Sequence, residues 1–315
     1  MFDSHILHSF SVPVPTICVG NLAVGGTGKT PMTAYIVQLL LEHGYHPAVL
    51  SRGYKRATRG FVVADSASTV ETIGDEAMQM HRAFPEVPIA VCENRVRGVR
   101  QLCRQVEQPD VVVLDDAMQH RTIRCGFTVL LTPYDHLYID DHMLPWGTLR
   151  DLPSRALKAD AVVVTKCPEN IRPIDMRVVD NRLRQPVYQQ LHFAGIQYAP
   201  MEQEGTPLVL CGIAQPQYMY EYVRTIYPQA ELMAFPDHYH YTAADIEQIM
   251  ARARNFDFVL TTEKDMQRLR TTPLTERLQA QGKRLIALPI SVRFCTPKEN
   301  FDRQILNYVH ENVRK

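Results

Sequence analysis

An α/β fold in two parts is predicted, each part a largely parallel sheet covered by helices, and three observations predict it. Strand-like apolar runs at 16–19, 48–51, 88–91, 111–114 and 127–131 alternate with helical patterns at 29–43, 76–84 and 94–106, the pattern of βαβ units. A second series follows a break at Pro145-Trp-Gly-Thr-Leu-Arg-Asp-Leu-Pro153, with strands near 161–165, 207–211, 231–234, 258–261 and 284–289 and helices near 216–226 and 242–254. A glycine-dense turn over 20–28 joins the first strand to the first helix, as in the parallel-sheet domain of P-loop NTPases. The expected organisation is a P-loop NTPase-type domain over 1–143, a linker over 144–155 and a smaller α/β domain over 156–297. The last helix, Phe301 to Val313 after Pro297, is free to pack on either domain, with 298–315 open to packing back on the first.

The first βα unit carries the strongest chemical signal. Ile17, Cys18 and Val19 form the strand; Ala34, Ile36, Val37, Leu39, Leu40 and Leu41 give the helix a buried face; Gly44 stands where a C-terminal cap belongs. Pro31 falls in the first turn, where a missing N–H breaks no helical hydrogen bond. Between them, Ala23-Val24-Gly25-Gly26-Thr27-Gly28-Lys29-Thr30 reads as a phosphate cradle. Glycines let successive N–H groups turn onto one anion, the helix N-terminus adds positive partial charge, Lys29 reaches the outer phosphates, and the Thr30 hydroxyl can hold Mg²⁺. Ala23 departs from the general G-x-x-x-x-G-K-[ST] pattern, with Gly20 three residues earlier. The bland alternative is a glycine-rich turn opening an ordinary βα unit. Binding of a nucleoside triphosphate is the inference preferred.

A second motif sits where such a fold needs it. Pro109-Asp-Val-Val-Val-Leu-Asp115-Asp116 is an apolar strand ending in two carboxylates, the place of the acid that orients Mg²⁺ opposite the phosphate loop. Asp116 is favoured slightly over Asp115 for the inner role. Asp-Asp after a strand is otherwise a turn or cap. Asp75 in Gly74-Asp-Glu76 reads by itself as a helix N-cap. The loop Phe235-Pro-Asp237-His238-Tyr-His240-Tyr-Thr242 offers either a metal trio, loop-borne catalytic side chains, or plain turn residues. Arg150, near the single Trp146, belongs either to an ordered linker or to a clamp that reaches a transferring phosphoryl group. Asn94-Arg95 opens a basic helix start, where solvated arginines are the default, and Arg52 follows a strand C-terminal end, where α/β folds bind ligands. Thr262-Glu-Lys-Asp265 only superficially resembles a GTPase purine-recognition tetrapeptide.

Composition narrows the field. Thirty-four Lys and Arg balance 34 Asp and Glu, so no global field marks a nucleic-acid binder. Seven cysteines with no C-x-x-C pair point to neither a disulfide framework nor a thiolate metal site, and a cytosolic chain is expected. No apolar run approaches the ~20 residues of a spanning helix, and Met1-Phe-Asp-Ser-His lacks the basic start of a signal peptide.

Taken together, Val19 to Pro31, Leu50-Ser-Arg-Gly-Tyr54, Gly74-Asp-Glu76, Leu114-Asp-Asp-Ala-Met-Gln-His120, Leu144-Pro-Trp-Gly-Thr-Leu-Arg150, Phe235-Pro-Asp-His238 and Thr262-Glu-Lys-Asp265 resemble, in order and over nearly the whole chain, the tetraacyldisaccharide 4′-kinases of lipid A biosynthesis. The resemblance implies transfer of the ATP γ-phosphoryl group to the 4′-hydroxyl of a tetraacyl glucosamine disaccharide 1-phosphate, at the cytoplasmic face of the bacterial inner membrane. ATP and Mg²⁺ are the implied cofactors, with a peripheral membrane contact and no nucleic acid or obligate protein partner. It maps the phosphate loop onto Ala23 through Thr30, the metal-site aspartates onto Asp115 and Asp116, and the base with its assisting histidine onto Asp75 and His238. It maps the linker arginine onto Arg150 and a lipid-meeting pair onto Asn94 and Arg95. Asp151 stands where the family usually has glutamate, and Asn94 where it has aspartate. With Asp75 and His238 in different halves, the site is expected to be complete only when the domains approach. Few residues precede the first strand, so Ile6, Leu7, Phe10 and Val12 are read as the tail of the family's N-terminal membrane element, the start being truncated or initiated late. The alternatives are a nucleotide-switched NTPase of the partitioning or metal-insertion type, whose signature lysine would stand at Val24, and a small-metabolite kinase.

Overall fold

The computed structural model describes residues 9–105 and 107–313; Ile6 and Leu7 lie outside them. Two compact units result: Met1–Gln197 with Ser291–Lys315, and Tyr198–Ile290.

The first unit runs β1 (Thr16–Asn21), α1 (Lys29–Glu42), β2 (Pro47–Ser51), β3 (Val62–Val63), α2 (Val70–Ile73), α3 (Asp75–Ala83), β4 (Ile89–Val91), α4 (Arg95–Leu102), β5 (Val111–Asp115), β6 (Phe127–Pro133), β7 (Ala161–Thr165), α5 (Pro173–Leu183) and β8 (Gln190–Tyr198). The second holds β9 (Pro207–Cys211), α6 (Gln217–Ile226), β10 (Glu231–Ala234), α7 (Ala243–Ala253), β11 (Phe258–Thr262), α8 (Glu263–Leu269), α9 (Leu274–Ala280) and β12 (Leu285–Leu288). The chain then returns to the first unit through β13 (Ile290–Phe294) and α10 (Lys298–Asn312).

The first sheet has the order β13-β8-β7-β6-β1-β5-β2-β4-β3. Its central strands are parallel and buried on both faces, which is why β1, β2, β5 and β7 read as unbroken apolar runs. β1 lies between β5 and β6, so the glycine turn after β1 and the carboxylates ending β5 emerge side by side at the same sheet edge. The second sheet, β10-β9-β11-β12, is also parallel.

The expected boundaries are corrected here. The run at 161–165 extends the first sheet, pairing Val129 with Ala161 through Pro133 with Thr165, so the second unit starts at 198 instead of 156. Residues 144–155 are no linker between units: Leu149 bridges Ala23 and Met143, and Arg150 N–H donates to Leu22 O at 2.8 Å, all inside the first unit. Prolines and glycine mark a surface excursion there. The last helix packs on the first unit. Phe301, Ile305 and Val309 join Ile36 and Leu40 of α1 in one core cluster, and Tyr35 donates its hydroxyl to Asp302 at 2.6 Å. Truncating the fully buried Phe301 to Ala costs about 3–5 kcal/mol.

Candidate active site

The phosphate loop takes its shape from backbone conformations that side chains resist. Gly28, φ +89°, is the N-cap of α1 in the left-handed region, where a Cβ would be strained. Val24, Gly25 and Gly26 are exposed while Thr27 is buried. The loop is held from both sides: Val24 N–H donates to Thr148 O at 2.8 Å, and Thr165 Oγ1 at the end of β7 donates to Thr27 O at 2.8 Å. Lys29 opens α1 and donates Nζ to Asn21 Oδ1 at 3.3 Å, with Asp116 Oδ1 at 3.9 Å.

Asp115 ends β5 and Asp116 follows in the left-handed region, φ +48°, its N–H tied to Val19 O at 2.9 Å. That turn points the two carboxylates into different surroundings. Asp116 meets Arg150 in a two-pronged pair, one prong at 3.0 Å, and Arg150 also donates to Asn21 Oδ1 at 2.6 Å. Burial works to raise the Asp116 pKa, yet Lys29 and Arg150 hold it below the ordinary carboxylate value. Asp115 is 5% exposed and accepts the Thr33 hydroxyl at 3.3 Å. Burial first, then the charges of Glu76 and Asp116, push it up to about 7. Asp115, whose burial outweighs the pull of Lys29 and Arg95, with Asp116 next in the chain and the Thr33 hydroxyl of α1 against it, belongs to an all-oxygen set of the kind Mg²⁺ takes. The residues fit a magnesium ion on these grounds. Among the described residues, no group of three or more His, Cys, Asp or Glu side chains is placed to hold a metal by itself.

Asp75 is 4% exposed and is the first residue of α3; Gly74, with no side chain to offer, is the N-cap. Its Oδ1 accepts the N–H of Glu76 at 2.9 Å. The plain N-cap reading is thus displaced by one position, and the field of Glu76 on Asp115 puts this helix start near the aspartate pair. Arg52 is exposed at the C-terminal end of β2, and its charge, with burial and Arg95, helps lower His120 to about 4.

Two expectations change. Arg95 is not a solvated or lipid-facing arginine. It is fully buried, donating Nη1 to Cys92 O at 2.5 Å and Nη2 to Asp115 O at 3.3 Å, a fixed positive charge beneath the aspartates. Asn94 is the N-cap of α4, accepting Arg97 N–H at 3.0 Å. In the second unit, the metal trio imagined at Asp237, His238 and His240 gives way to a cation. Lys264 Nζ lies 3.1 Å from His238 Nε2 and 4.0 Å from Asp237 Oδ1. Thr262-Glu-Lys-Asp265 caps α8, Thr262 Oγ1 accepting Asp265 N–H at 3.0 Å. Asp151, in place of glutamate, holds Leu152 N–H at 2.9 Å and faces Arg155 at 3.7 Å.

Sequence reasoning gave no role to Asn21 or Thr33 and quoted Glu76 and His120 only within longer strings. Asn21 is a fully buried amide closing an apolar strand; Thr33 is one polar residue on a helix and carries no signal without the fold.

Comparison with known proteins then decides the family. The family model of tetraacyldisaccharide-1-P 4′-kinase matches residues 1–310. The chain belongs to that family. The kinase of Flavobacterium johnsoniae is 43% identical over 99% of this chain and 92% of its own length, and that of Bacteroides thetaiotaomicron 41% over 100% and 89%. The crystal structure of LpxK from Aquifex aeolicus in complex with ATP shares the fold, with a TM-score of 0.71 at 24% identity, over 98% of this chain and 92% of that one. In this chain the glycine loop, the aspartate pair and Arg150 lie within one unit.

Proposed function

We propose that this tetraacyldisaccharide 4′-kinase family member transfers the γ-phosphoryl group of ATP to the 4′-hydroxyl of a tetraacyl glucosamine disaccharide 1-phosphate, working peripherally at the cytoplasmic face of the bacterial inner membrane. The observation that carries this is the convergence of Lys29, Asn21, Asp116 and Arg150 at the mouth of the glycine loop. Backbone N–H groups of Gly25 to Lys29 and the Lys29 ammonium would hold the β and γ phosphates. Thr30 and Asp116, with Asp115 behind, would hold Mg²⁺, which neutralises charge on the transferring group. Arg150, already forked onto Asp116, is within reach of that same charge. Asp75 would accept the sugar hydroxyl proton, the role the family resemblance gives it.

Supporting the acceptor are a cavity beside Ala117 and His120 lined by Arg121, Arg124, Arg155 and Lys158, suited to a sugar phosphate. Trp146, 88% exposed, with Leu144 beside it, suits contact with a bilayer interface, and among the described residues no helix is long and apolar enough to cross a membrane. The test is incubation with labelled Mg-ATP and either the acylated disaccharide phosphate or soluble sugars, locating the new phosphate by mass spectrometry. Label on the lipid 4′ position is the expected result. Label on soluble sugars alone, or slow ATP hydrolysis unaffected by acceptor, would overturn it in favour of a metabolite kinase or a nucleotide switch.

A further inference from the structure

Arg52-Gly-Tyr-Lys-Arg-Ala-Thr-Arg-Gly60 leaves the C-terminal end of β2 as a loop and passes against the turn that places Asp75. A Cβ on Gly74 would stand 3.0 Å from Tyr54 O, so glycine before Asp75 lets the loop come this near. Two hydrogen bonds staple the loop to α2: Ala57 N–H donates to Glu71 O at 2.7 Å, and Thr58 Oγ1 donates to Thr72 O at 2.5 Å. The third tie is ionic. Arg56 Nη2 donates to Glu93 Oε1 at 2.5 Å and to Gly60 O at 2.5 Å, while Glu93 Oε2 accepts Gly60 N–H at 3.0 Å. Glu93 precedes Asn94 and Arg95, so the turn that buries Arg95 beneath Asp115 also grips this loop.

That ion pair is poorly built for stability alone. The Arg56 side chain is 2% exposed, and its Nε and Nη1 are buried with no acceptor among the described residues, a cost that one bond to a half-exposed glutamate does not remove. A Cβ on Gly53, φ +71°, would stand 2.4 Å from Arg56 Cδ, so the neighbouring residue is restricted as well. Burial works to raise the Glu93 pKa, yet Arg56 and the Gly60 N–H hold it below the ordinary carboxylate value. What the pair fixes is shape. With Arg56 turned inward, Arg52, Tyr54, Lys55 and Arg59 stand exposed on the loop, and Lys55 Nζ lies 5.7 Å from the centre of the Tyr54 ring. Three cations and an aromatic face suit an anionic sugar, the ring meeting its apolar face and the cations its phosphate.

We propose that Arg56 and Glu93 form a positioning clasp that holds residues 52–60 as a wall of the acceptor site, setting affinity for the anionic sugar acceptor and leaving nucleotide binding alone. This rests on the kinase reading above and adds to it an element that recognises the acceptor beside Asp75. Neither member of the clasp meets substrate; both act through the exposed side chains of the loop. Opening the clasp releases the loop at Gly60, while the two bonds to α2 and the helix start carrying Asp75 stay in place.

The test compares the full-length wild type with Arg56→Met, Glu93→Gln and the double variant, using Mg-ATP and the tetraacyl disaccharide 1-phosphate in detergent micelles. KM for the acceptor is expected to rise about tenfold in Arg56→Met and severalfold in Glu93→Gln. In both, kcat should stay within about threefold and the Mg-ATP dissociation constant within about twofold of wild type. The double variant should be no worse than Arg56→Met, since the two side chains act as one unit. Amide hydrogen exchange should quicken over 52–60 and stay unchanged over β1 and α1. Glu93→Gln, isosteric and on the half-exposed side of the pair, decides the matter if Arg56→Met fails to fold. An unchanged acceptor KM in Glu93→Gln, unchanged exchange over 52–60, or a loss of Mg-ATP affinity as large as the loss for the acceptor overturns the clasp. A wild type that phosphorylates no lipid acceptor overturns the kinase reading instead, and the exchange arm still reports whether the pair holds the loop.

Discussion

Each unit contains an acid–arginine pair near the C-terminal ends of its strands, and the two pairs do opposite work. In the second unit Asp265 is fully buried and saturated: it accepts from Gly212 N–H at 2.9 Å, the Thr262 hydroxyl at 2.8 Å and Arg268 at 2.9 Å, and Arg268 donates onward to Gly212 O at 3.0 Å. Burial still raises its pKa, against the pull of Arg268. In the first unit Asp116 and Arg150 keep 29% and 26% of their side chains exposed and share their surroundings with Lys29 and a glycine loop. The inner pair locks α8 to β9; the outer pair leaves polar capacity at an open rim. Burial and charge pairing alone do not mark a site. What marks it is a pair whose remaining donors and acceptors face outward onto a backbone built for an anion.

That contrast breaks most directly at Lys29. Lys29→Ala should lower kcat/KM by about 10³ with the melting temperature nearly unchanged, since the ammonium acts on developing phosphate charge; steady-state kinetics beside thermal melts read both, and a loss under tenfold would move the cradle elsewhere. Asp75→Asn comes next, with kcat down about 10² to 10³ and Mg-ATP affinity close to wild type, and His238→Ala should follow it in the same direction more weakly. If kcat/KM of Asp75→Asn for the lipid stayed within about threefold of wild type, the base assignment would be wrong.

The inner pair should behave in reverse. Asp265→Ala strands Arg268 in the interior, at a cost of about 3–5 kcal/mol in urea unfolding, while turnover per folded molecule stays near wild type. A large kinetic defect with intact stability would erase the distinction between the two pairs. The smallest effect is a pH dependence at Asp115. Because its folded pKa is raised from 3.8 to about 7, the folded state holds this proton more tightly than the unfolded chain. Its contribution to stability is therefore present below pH 3.8 and is lost as pH rises through about 7. Wild type should lose stability relative to Asp115→Asn between about pH 4 and 7, and a flat difference across that window would remove the buried carboxylate's raised pKa from the site.

Much of this was legible in the chain. The buried parallel strands announced themselves as apolar runs, the loop by Gly-Gly-Thr-Gly-Lys-Thr, and the acid pair by its place after Val111-Val-Val-Leu114. Weaker patterns were missed: β8, Gln190–Tyr198, interrupts its alternation with His192 and Gly195, and α5, Pro173–Leu183, carries charge through most of its length.

Local sequence determined the phosphate loop, because glycine conformations and helix starts are set by residues adjacent in the chain. It also determined the strands beside that loop, because burial on both faces demands unbroken apolar residues. The tertiary structure alone decided that β7, β8, β13 and the last helix belong to the first unit, that Arg150 reaches Asp116, and that Arg95 is enclosed beneath the aspartates. Those outcomes depend on pairings between distant segments and on which side of a sheet each charge is left, and no periodicity along a single segment records either.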